Sequence, residues 1–154
     1  MSKPISISSL EELEALSNSN DYTLVDFWAT WCPPCKAIAP VYEKLAAQNT
    51  QKDQLAFAKV DVDAQATIAK KYNISAMPTF ILLNRGGVPI KAVRGADAKG
   101  IQALITYAKK KVASEHVSED EEKAYDANVQ PSSSPGILMP LLVVIGIWYF
   151  FFKK

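Results

Sequence analysis

The segment Tyr22–Lys36, YTLVDFWATWCPPCK, carries two cysteines directly after an apolar run. The first eight residues, up to Ala29, contain one acidic residue, Asp26, in an otherwise largely apolar sequence, which is typical of a buried β-strand. We predict that a helix opens at the Cys-Pro-Pro-Cys sequence, because apolar residues then recur at helical spacing, at Ile38, Val41, Tyr42 and Leu45.

The spacing of the two cysteines predicts redox chemistry. Cα atoms three positions apart in a helical turn are about 5–6 Å apart, which a disulfide can span. Cys32 falls at the helix N-terminus, where free backbone amides and the helix dipole stabilise a thiolate. We therefore predict a redox disulfide Cys32–Cys35. Cys32 is the attacking nucleophile and Cys35, which we expect to be less exposed, is the resolving thiol in exchange through a mixed disulfide.

Two other uses of a Cys-x-x-Cys pair stay open from the spacing alone. Such a pair can be half of a zinc site, but two cysteines and one histidine are too few for the usual four ligands. The pair is also compatible with two unrelated buried cysteines. The single histidine, His116, lies far along the chain from the cysteines, which disfavours a Cys–His catalytic pair. We predict no metal site.

The apolar pattern outside this segment predicts alternating strands and helices. The predicted strands cover residues 5–8, 22–29, 55–62, 79–83 and 88–93, and the predicted helices cover residues 10–17, 32–47, 63–72 and 99–112. The resulting order, β-α-β-α-β-α-β-β-α, favours an α/β fold with a central, partly parallel sheet. A turn at Arg85-Gly86-Gly87 makes the last two strands an antiparallel hairpin.

Composition divides the 154 residues into a body, a linker and a tail. Residues 1–113 carry 14 basic and 10 acidic groups, whereas residues 114–135 carry 1 basic and 6 acidic groups and end in a Ser-Pro-rich stretch. We predict one domain over 1–113, a flexible acidic linker over 114–135, and an apolar segment over 136–152 followed by a basic tip, 153–154. The overall net charge of +1 gives no case for nucleic acid as the main partner, so we predict none.

The apolar segment 136–152 contains 17 residues and no charge. As a helix it is roughly 25 Å long, near the short end for a bilayer crossing, so we predict a transmembrane helix. Trp148 and Tyr149 suit a membrane interface, and Lys153 and Lys154 can reach the head groups. The alternative is a buried or oligomerising helix.

No signal peptide is recognisable after Met1, and the predicted span lies close to Lys154. We therefore expect a single-pass C-terminal anchor that leaves the catalytic domain in the cytosol. The short span and basic tip favour the mitochondrial outer membrane, and the endoplasmic reticulum is the alternative.

Four segments together resemble the thioredoxin family in residues, order and spacing. They are DFWATWCPPCK at 26–36, KVDVD at 59–63, AMPTF at 76–80 and RGA at 94–96. The resemblance extends from residue 5 to about residue 112. It implies the thioredoxin fold, in which a central mixed β-sheet is flanked by helices, and it implies protein-disulfide reductase activity.

The resemblance implies roles for two further ionisable residues. In thioredoxins the aspartate at the position of Asp26 is buried and accepts the proton of the resolving thiol. The lysine at the position of Lys59 adjusts the pKa of this aspartate. Burial of Asp26 raises its pKa through desolvation. The residues alone leave both points open. Val25 and Phe27 are both apolar, so the alternation is ambiguous and an edge-facing, solvated Asp26 is the alternative. Lys59 is equally compatible with an ordinary exposed strand lysine.

The resemblance also implies a substrate-binding groove. Pro78 matches the family's cis-proline that faces the disulfide, although a trans proline at the start of a strand is the alternative. The groove residues implied are Trp31, Met77, Pro78, Gly95 and Ala96, and the structural residues near the site are Trp28, Pro33 and Pro34. Pro33 stands where the family most often has glycine. It removes one backbone N–H near Cys32, so we expect an altered redox potential.

The resemblance further implies that the protein binds no cofactor itself. Reducing equivalents would come from NADPH through a thioredoxin reductase, and the substrates would be disulfide-containing proteins. A disulfide oxidase or isomerase in the endoplasmic reticulum is a second hypothesis, which the absence of a recognisable signal peptide disfavours. A third is a non-enzymatic docking module, which the joint presence of Cys32, Cys35, Asp26 and Pro78 disfavours.

Overall fold

A computed structural model describes residues 2–113, and their elements follow the predicted order. The five strands are β1 (Ile5–Ser6), β2 (Tyr22–Trp28), β3 (Leu55–Asp61), β4 (Thr79–Asn84) and β5 (Pro89–Arg94). The four helices are α1 (Leu10–Ser19), α2 (Pro33–Asn49), α3 (Ala66–Lys71) and α4 (Ala98–Val112).

The strands form one mixed sheet in the order β1-β3-β2-β4-β5. Strands β1, β3 and β2 are parallel, and β4 is antiparallel to both β2 and β5. The predicted α/β architecture, with a partly parallel sheet and an antiparallel hairpin, is therefore confirmed. Strand β2 is the third of the five strands and therefore the central one, and the predicted redox cysteines follow its last residues.

Each face of the sheet is covered by two helices. Apolar residues of α2 and α4 pack on one face against a cluster that includes Leu24, Phe57, Phe80 and Leu82. On the other face α1 and α3 pack against a cluster that includes Val25, Phe27, Val60 and Ile81. Both helix layers bury apolar side chains, which supplies the main favourable free energy of folding.

Helix α3 is shorter than the predicted helix over 63–72. The reason is an aspartate turn, in which the Asp61 carboxylate accepts hydrogen bonds from the backbone N–H groups of Asp63 and Ala64, at 3.0 and 3.3 Å. These bonds hold the backbone in a non-helical turn, so the helix begins at Ala66. The other predicted helices and strands agree with the structure to within two residues at each end.

The predicted linker 114–135, membrane segment 136–152 and basic tip 153–154 lie outside the described residues. Within residues 2–113, every helix is too short or too polar to cross a bilayer.

The buried side chain of Tyr42 joins helix α2 to two strands. Its hydroxyl lies 2.7 Å from the carbonyl oxygen of Leu24 and 2.9 Å from that of Ala58. Its ring packs against Phe57 and Phe80. Because the residue is fully buried, water cannot replace these hydrogen bonds if the hydroxyl is lost.

We predict that Tyr42→Phe lowers the free energy of unfolding by about 1–3 kcal/mol, the cost of unpaired buried carbonyl groups. Urea unfolding of a fragment covering residues 1–113 measures the change. Tyr72→Phe is the matched control, because the half-buried Tyr72 hydroxyl donates to one carbonyl, that of Gly87, and its loss should cost less. Equal losses for the two variants would contradict the assigned role of Tyr42.

Candidate redox site

The N-terminus of helix α2 positions the two cysteines. Cys32 is the N-cap residue, and the helix begins at Pro33, whose missing N–H would have no partner within the first turn. The Cys32 sulfur accepts a hydrogen bond from the backbone N–H of Cys35 at 3.2 Å, and the Cys32 carbonyl accepts from Lys36. The sulfur of Cys32 therefore meets the positive end of the helix dipole, which favours a thiolate there.

Cys32 and Cys35 form a disulfide, with their Cα atoms 5.3 Å apart. The predicted pairing is present in the structure. The predicted difference in exposure between the two cysteines is absent, because Cys32 is 3% and Cys35 is 4% exposed. Both cysteines pack into a small cluster with Ala29. The apolar side chains of Trp28, Val62 and Met77 pack against this cluster, so the oxidised pair is largely buried.

Asp26 lies on the face of the sheet that helix α2 covers. Along β2, Leu24 packs against α2 residues and Trp28 packs against the cysteine cluster, so Asp26, at the alternate position between them, points to the same face. The residue is 2% exposed, which excludes the solvent-facing alternative. Its Oδ1 atom has no hydrogen-bond donor among the described residues.

Burial raises the pKa of Asp26 from 3.8 to about 7, because desolvation penalises the carboxylate. The nearby positive charge of Lys59 acts in the opposite direction and lowers it. A carboxyl group with a pKa near neutrality can take up and release a proton at physiological pH, which is the property that a general base requires.

Lys59 is the β3 residue directly opposite Asp26 in the sheet register. Its ammonium group lies 5.2 Å from the centre of the Trp28 ring and 3.7 Å from the carboxylate of Glu43. The Trp28 side chain thus lies between the cysteine cluster and this lysine.

The Met77–Pro78 peptide bond is cis, which excludes the trans alternative. Met77 contacts the cysteine cluster, and the carbonyl of Pro78 accepts a hydrogen bond from Gly95 N–H at 2.8 Å. Gly95 has a φ of +87°, a conformation that favours glycine. Ala96 follows it on the surface. The structure thus brings the start of β4 and the end of β5 together at one edge of the site.

Trp31 is the most exposed aromatic residue near the cysteines, with 64% of its surface accessible. Its indole N–H donates to the Asp63 carboxylate at 2.8 Å, which fixes the ring above the loop that follows β3. Pro33 and Pro34 are both exposed in the first turn of α2. No role for Asp63 beyond its place in a matching segment could be predicted, because a contact between positions 32 residues apart leaves no local signal in the sequence.

Among residues 2–113, no group of three or more histidine, cysteine, aspartate or glutamate side chains is arranged to hold a metal ion. A cysteine pair at a helix N-terminus, closed by apolar groups and placed beside a buried carboxyl group, is equipped for proton-coupled thiol–disulfide exchange. These features define the class of thiol–disulfide oxidoreductases.

Comparisons with known proteins agree with this class. The thioredoxin family profile matches residues 8–110. A thioredoxin-like protein of Fusarium culmorum is 50% identical over 101 residues, covering 63% of this chain and 84% of that protein. A bifunctional thioredoxin reductase/thioredoxin of Mycobacterium leprae is 48% identical over 82 residues, which are 53% of this chain and 17% of that protein.

A solved structure shares the fold. The crystal structure of Malassezia sympodialis thioredoxin superimposes with a TM-score of 0.62 at 40% identity, covering 70% of this chain and 95% of that one. The chain belongs to the thioredoxin family, and the Cys32–Cys35 pair makes it a thiol–disulfide oxidoreductase.

We predict that Asp26→Asn stabilises the protein at high pH. Because the folded-state pKa is raised, the native state binds more protons than the unfolded state between pH 3.8 and about 7, and stability falls as the pH rises through this window. The side-chain amide of the variant does not ionise and so avoids this loss. The free energy of unfolding of the variant therefore exceeds that of the wild type by up to about 4 kcal/mol above pH 7 and by little near pH 4. Urea unfolding at pH 4, 6 and 8 measures the difference.

The control for Asp26→Asn is Asp53→Asn, a substitution on an exposed turn. Its stability difference should not grow through the same pH window. A gain for Asp26→Asn that is the same at pH 4 and pH 8 would exclude Asp26 as the titrating group.

Proposed function

We propose that the protein reduces disulfide bonds in other proteins, with Cys32 as the nucleophile, Cys35 as the resolving thiol and Asp26 as the proton acceptor. The observation that carries the proposal is the cysteine pair at the N-terminus of α2 beside a buried carboxyl group whose pKa is about 7.

The reaction proceeds in two exchanges. The Cys32 thiolate attacks one sulfur of the substrate disulfide, so that a mixed disulfide forms and the first substrate thiolate leaves and takes up a proton. The Cys35 thiol then gives its proton to the Asp26 carboxylate and attacks the Cys32 sulfur. This breaks the mixed disulfide and releases the second substrate thiolate. The substrate gains two electrons, and the cysteine pair is oxidised to the disulfide.

The surface around the disulfide suits a peptide substrate. Trp31 and Ala96 are exposed, Met77 and Gly95 are half-buried, and Pro78 lies between Met77 and the strand β4. We assign these five residues to substrate binding. Four of the five have apolar side chains and Gly95 has none, so the proposed site carries no charged group that would select one particular sequence.

A reductase must itself be reduced after each turnover. We propose that a thioredoxin reductase supplies the electrons from NADPH and that the protein binds no cofactor of its own. The support is family membership together with the bifunctional Mycobacterium leprae relative, whose name joins thioredoxin reductase and thioredoxin in one chain.

We predict that the redox potential of the Cys32–Cys35 pair lies closer to the thioredoxin value of about −270 mV than to the range of disulfide isomerases and oxidases, so that the change expected from Pro33 is smaller than the difference between these classes. Equilibration of the 1–113 fragment in glutathione buffers measures it. A potential between about −180 and −120 mV would instead identify a disulfide isomerase or oxidase. The Cys32→Ser, Cys35→Ser double variant is the control, and it should lose all reduction of insulin. A double variant that supports the cellular role would indicate a docking module.

We further propose that residues 136–152 tether the redox domain to a membrane. The support is the sequence, in which 17 uncharged, mostly apolar residues are followed by two lysines. Because disulfide reduction requires a reducing compartment, we place the domain on the cytosolic side. The short span and basic flank favour the mitochondrial outer membrane over the endoplasmic reticulum. A tether would select substrates by raising the local concentration of the domain at one membrane.

The tether predicts that the full chain floats with phosphatidylcholine vesicles in a density gradient and stays with them in 1 M salt. The matched control is the fragment 1–135, which keeps the acidic linker and should remain at the bottom of the gradient. Salt-resistant flotation of the fragment, or loss of the full chain from the vesicles, would contradict the proposed anchor.

A further inference from the structure

Glu43 takes no part in the exchange steps above, yet it contacts a residue that faces the proton acceptor. It lies on helix α2 next to the buried Tyr42, and its own side chain is 50% exposed. The Glu43 carboxylate is 3.7 Å from the Lys59 ammonium group. Among residues 2–113, this is the carboxylate with which Lys59 forms an ion pair, although the register places Lys59 opposite Asp26.

The side chain of Lys59 extends from the buried sheet towards the surface. Its side chain is 19% exposed, and its ammonium group lies over the Trp28 ring at 5.2 Å. Trp28 and Glu43 therefore hold the charge at the outer end of the lysine side chain. Asp26, on the neighbouring strand, interacts with this charge without an ion-pair contact.

We propose that Glu43 is a positioning residue, which holds the Lys59 ammonium group away from Asp26 and so keeps Asp26 basic enough to accept the proton of Cys35. This inference rests on the proposed role of Asp26 and adds to it a residue that sets the strength of the base. Glu43 does not touch the substrate or the sulfur atoms in this scheme.

The charged and titratable groups around Asp26 support this assignment. Lys59 faces it from β3, the apolar Phe80 faces it from β4, and Tyr42 approaches from α2. The Tyr42 hydroxyl is already bonded to two backbone carbonyls, and burial raises its pKa well above the ordinary value, so it stays neutral. Cys32 and Cys35 follow at the start of α2. Among the described residues, Lys59 is therefore the permanent charge with the largest effect on Asp26.

Removal of the Glu43 charge lowers the pKa of Asp26 through Lys59. The Lys59 ammonium group, freed from its partner, can move towards Asp26 and stabilise the carboxylate. A weaker base then takes the proton of Cys35 less readily.

The experiment compares wild type and Glu43→Gln in the full chain in detergent. The carboxyl ¹³C signal of Asp26 gives its titration midpoint, and insulin reduction between pH 5 and 9 gives the rate profile. We expect the midpoint and the profile to move down by about half a pH unit, the size expected for one partly exposed charge. We expect the rate at pH 8 to fall by about twofold, because proton transfer follows base strength only in part.

Two variants separate positioning from general effects. Lys44→Gln, the neighbouring exposed residue on α2, should move neither the midpoint nor the profile, and Glu43→Asp should restore most of the wild-type behaviour. In a Lys59→Gln background, Glu43→Gln should lose most of its effect, because the residue acts through the lysine. An equal shift in both backgrounds would show that Glu43 acts directly on Asp26 and would overturn the proposal.

Different results would contradict the role of Asp26 and the role of Glu43. If Asp26→Asn leaves the rate profile unchanged, Asp26 is not the proton acceptor and the proposed function loses that residue. If Asp26→Asn abolishes the pH dependence near neutrality but Glu43→Gln leaves the Asp26 midpoint in place, the role of Asp26 stands and the positioning role of Glu43 is wrong.

Discussion

The burial of one carboxyl group in the central strand is the constraint on which the redox site depends. Asp26 is enclosed because β2 has a neighbour on each edge and α2 across its face, and this enclosure brings its pKa to about 7. An isolated buried charge is costly. Lys59, which lies opposite Asp26, relieves this cost only in part, since its ammonium group forms an ion pair with Glu43. The site thus keeps a carboxyl group that is poised between its two protonation states.

The rest of the site is assembled at one end of the sheet from separate parts of the chain. The end of β2 leads to the cysteines, the start of β4 supplies Met77 and Pro78, and the end of β5 supplies Gly95. The loop after β3 fixes Trp31 through Asp63. Helix α2 connects the cysteines to the core, since the hydroxyl of Tyr42 is hydrogen-bonded to backbone carbonyl groups of both β2 and β3.

The element order, the mixed sheet and the cysteine pair could be predicted because each has a local signal, either a hydrophobic period or a short spacing. The face of the sheet to which Asp26 points could not be predicted, because its neighbours Val25 and Phe27 are both apolar. Only the packing of α2 on the sheet decides between the two faces. The start of α3 was missed because one side chain, that of Asp61, captures two amides that a helix would otherwise use. The contact between Glu43 and Lys59 joins a helix to a strand and leaves no mark in either segment.

Helix α4 begins just after the Gly95–Pro78 contact, and its 15 residues extend about 22 Å towards the other end of the sheet. There Val112 borders the same pocket as Tyr22, the first residue of β2. Ala113, the residue after α4, therefore lies at the end of the sheet opposite the disulfide. A solid support coupled directly to Ala113 would hold the domain by that end and present the sulfur atoms on the opposite side.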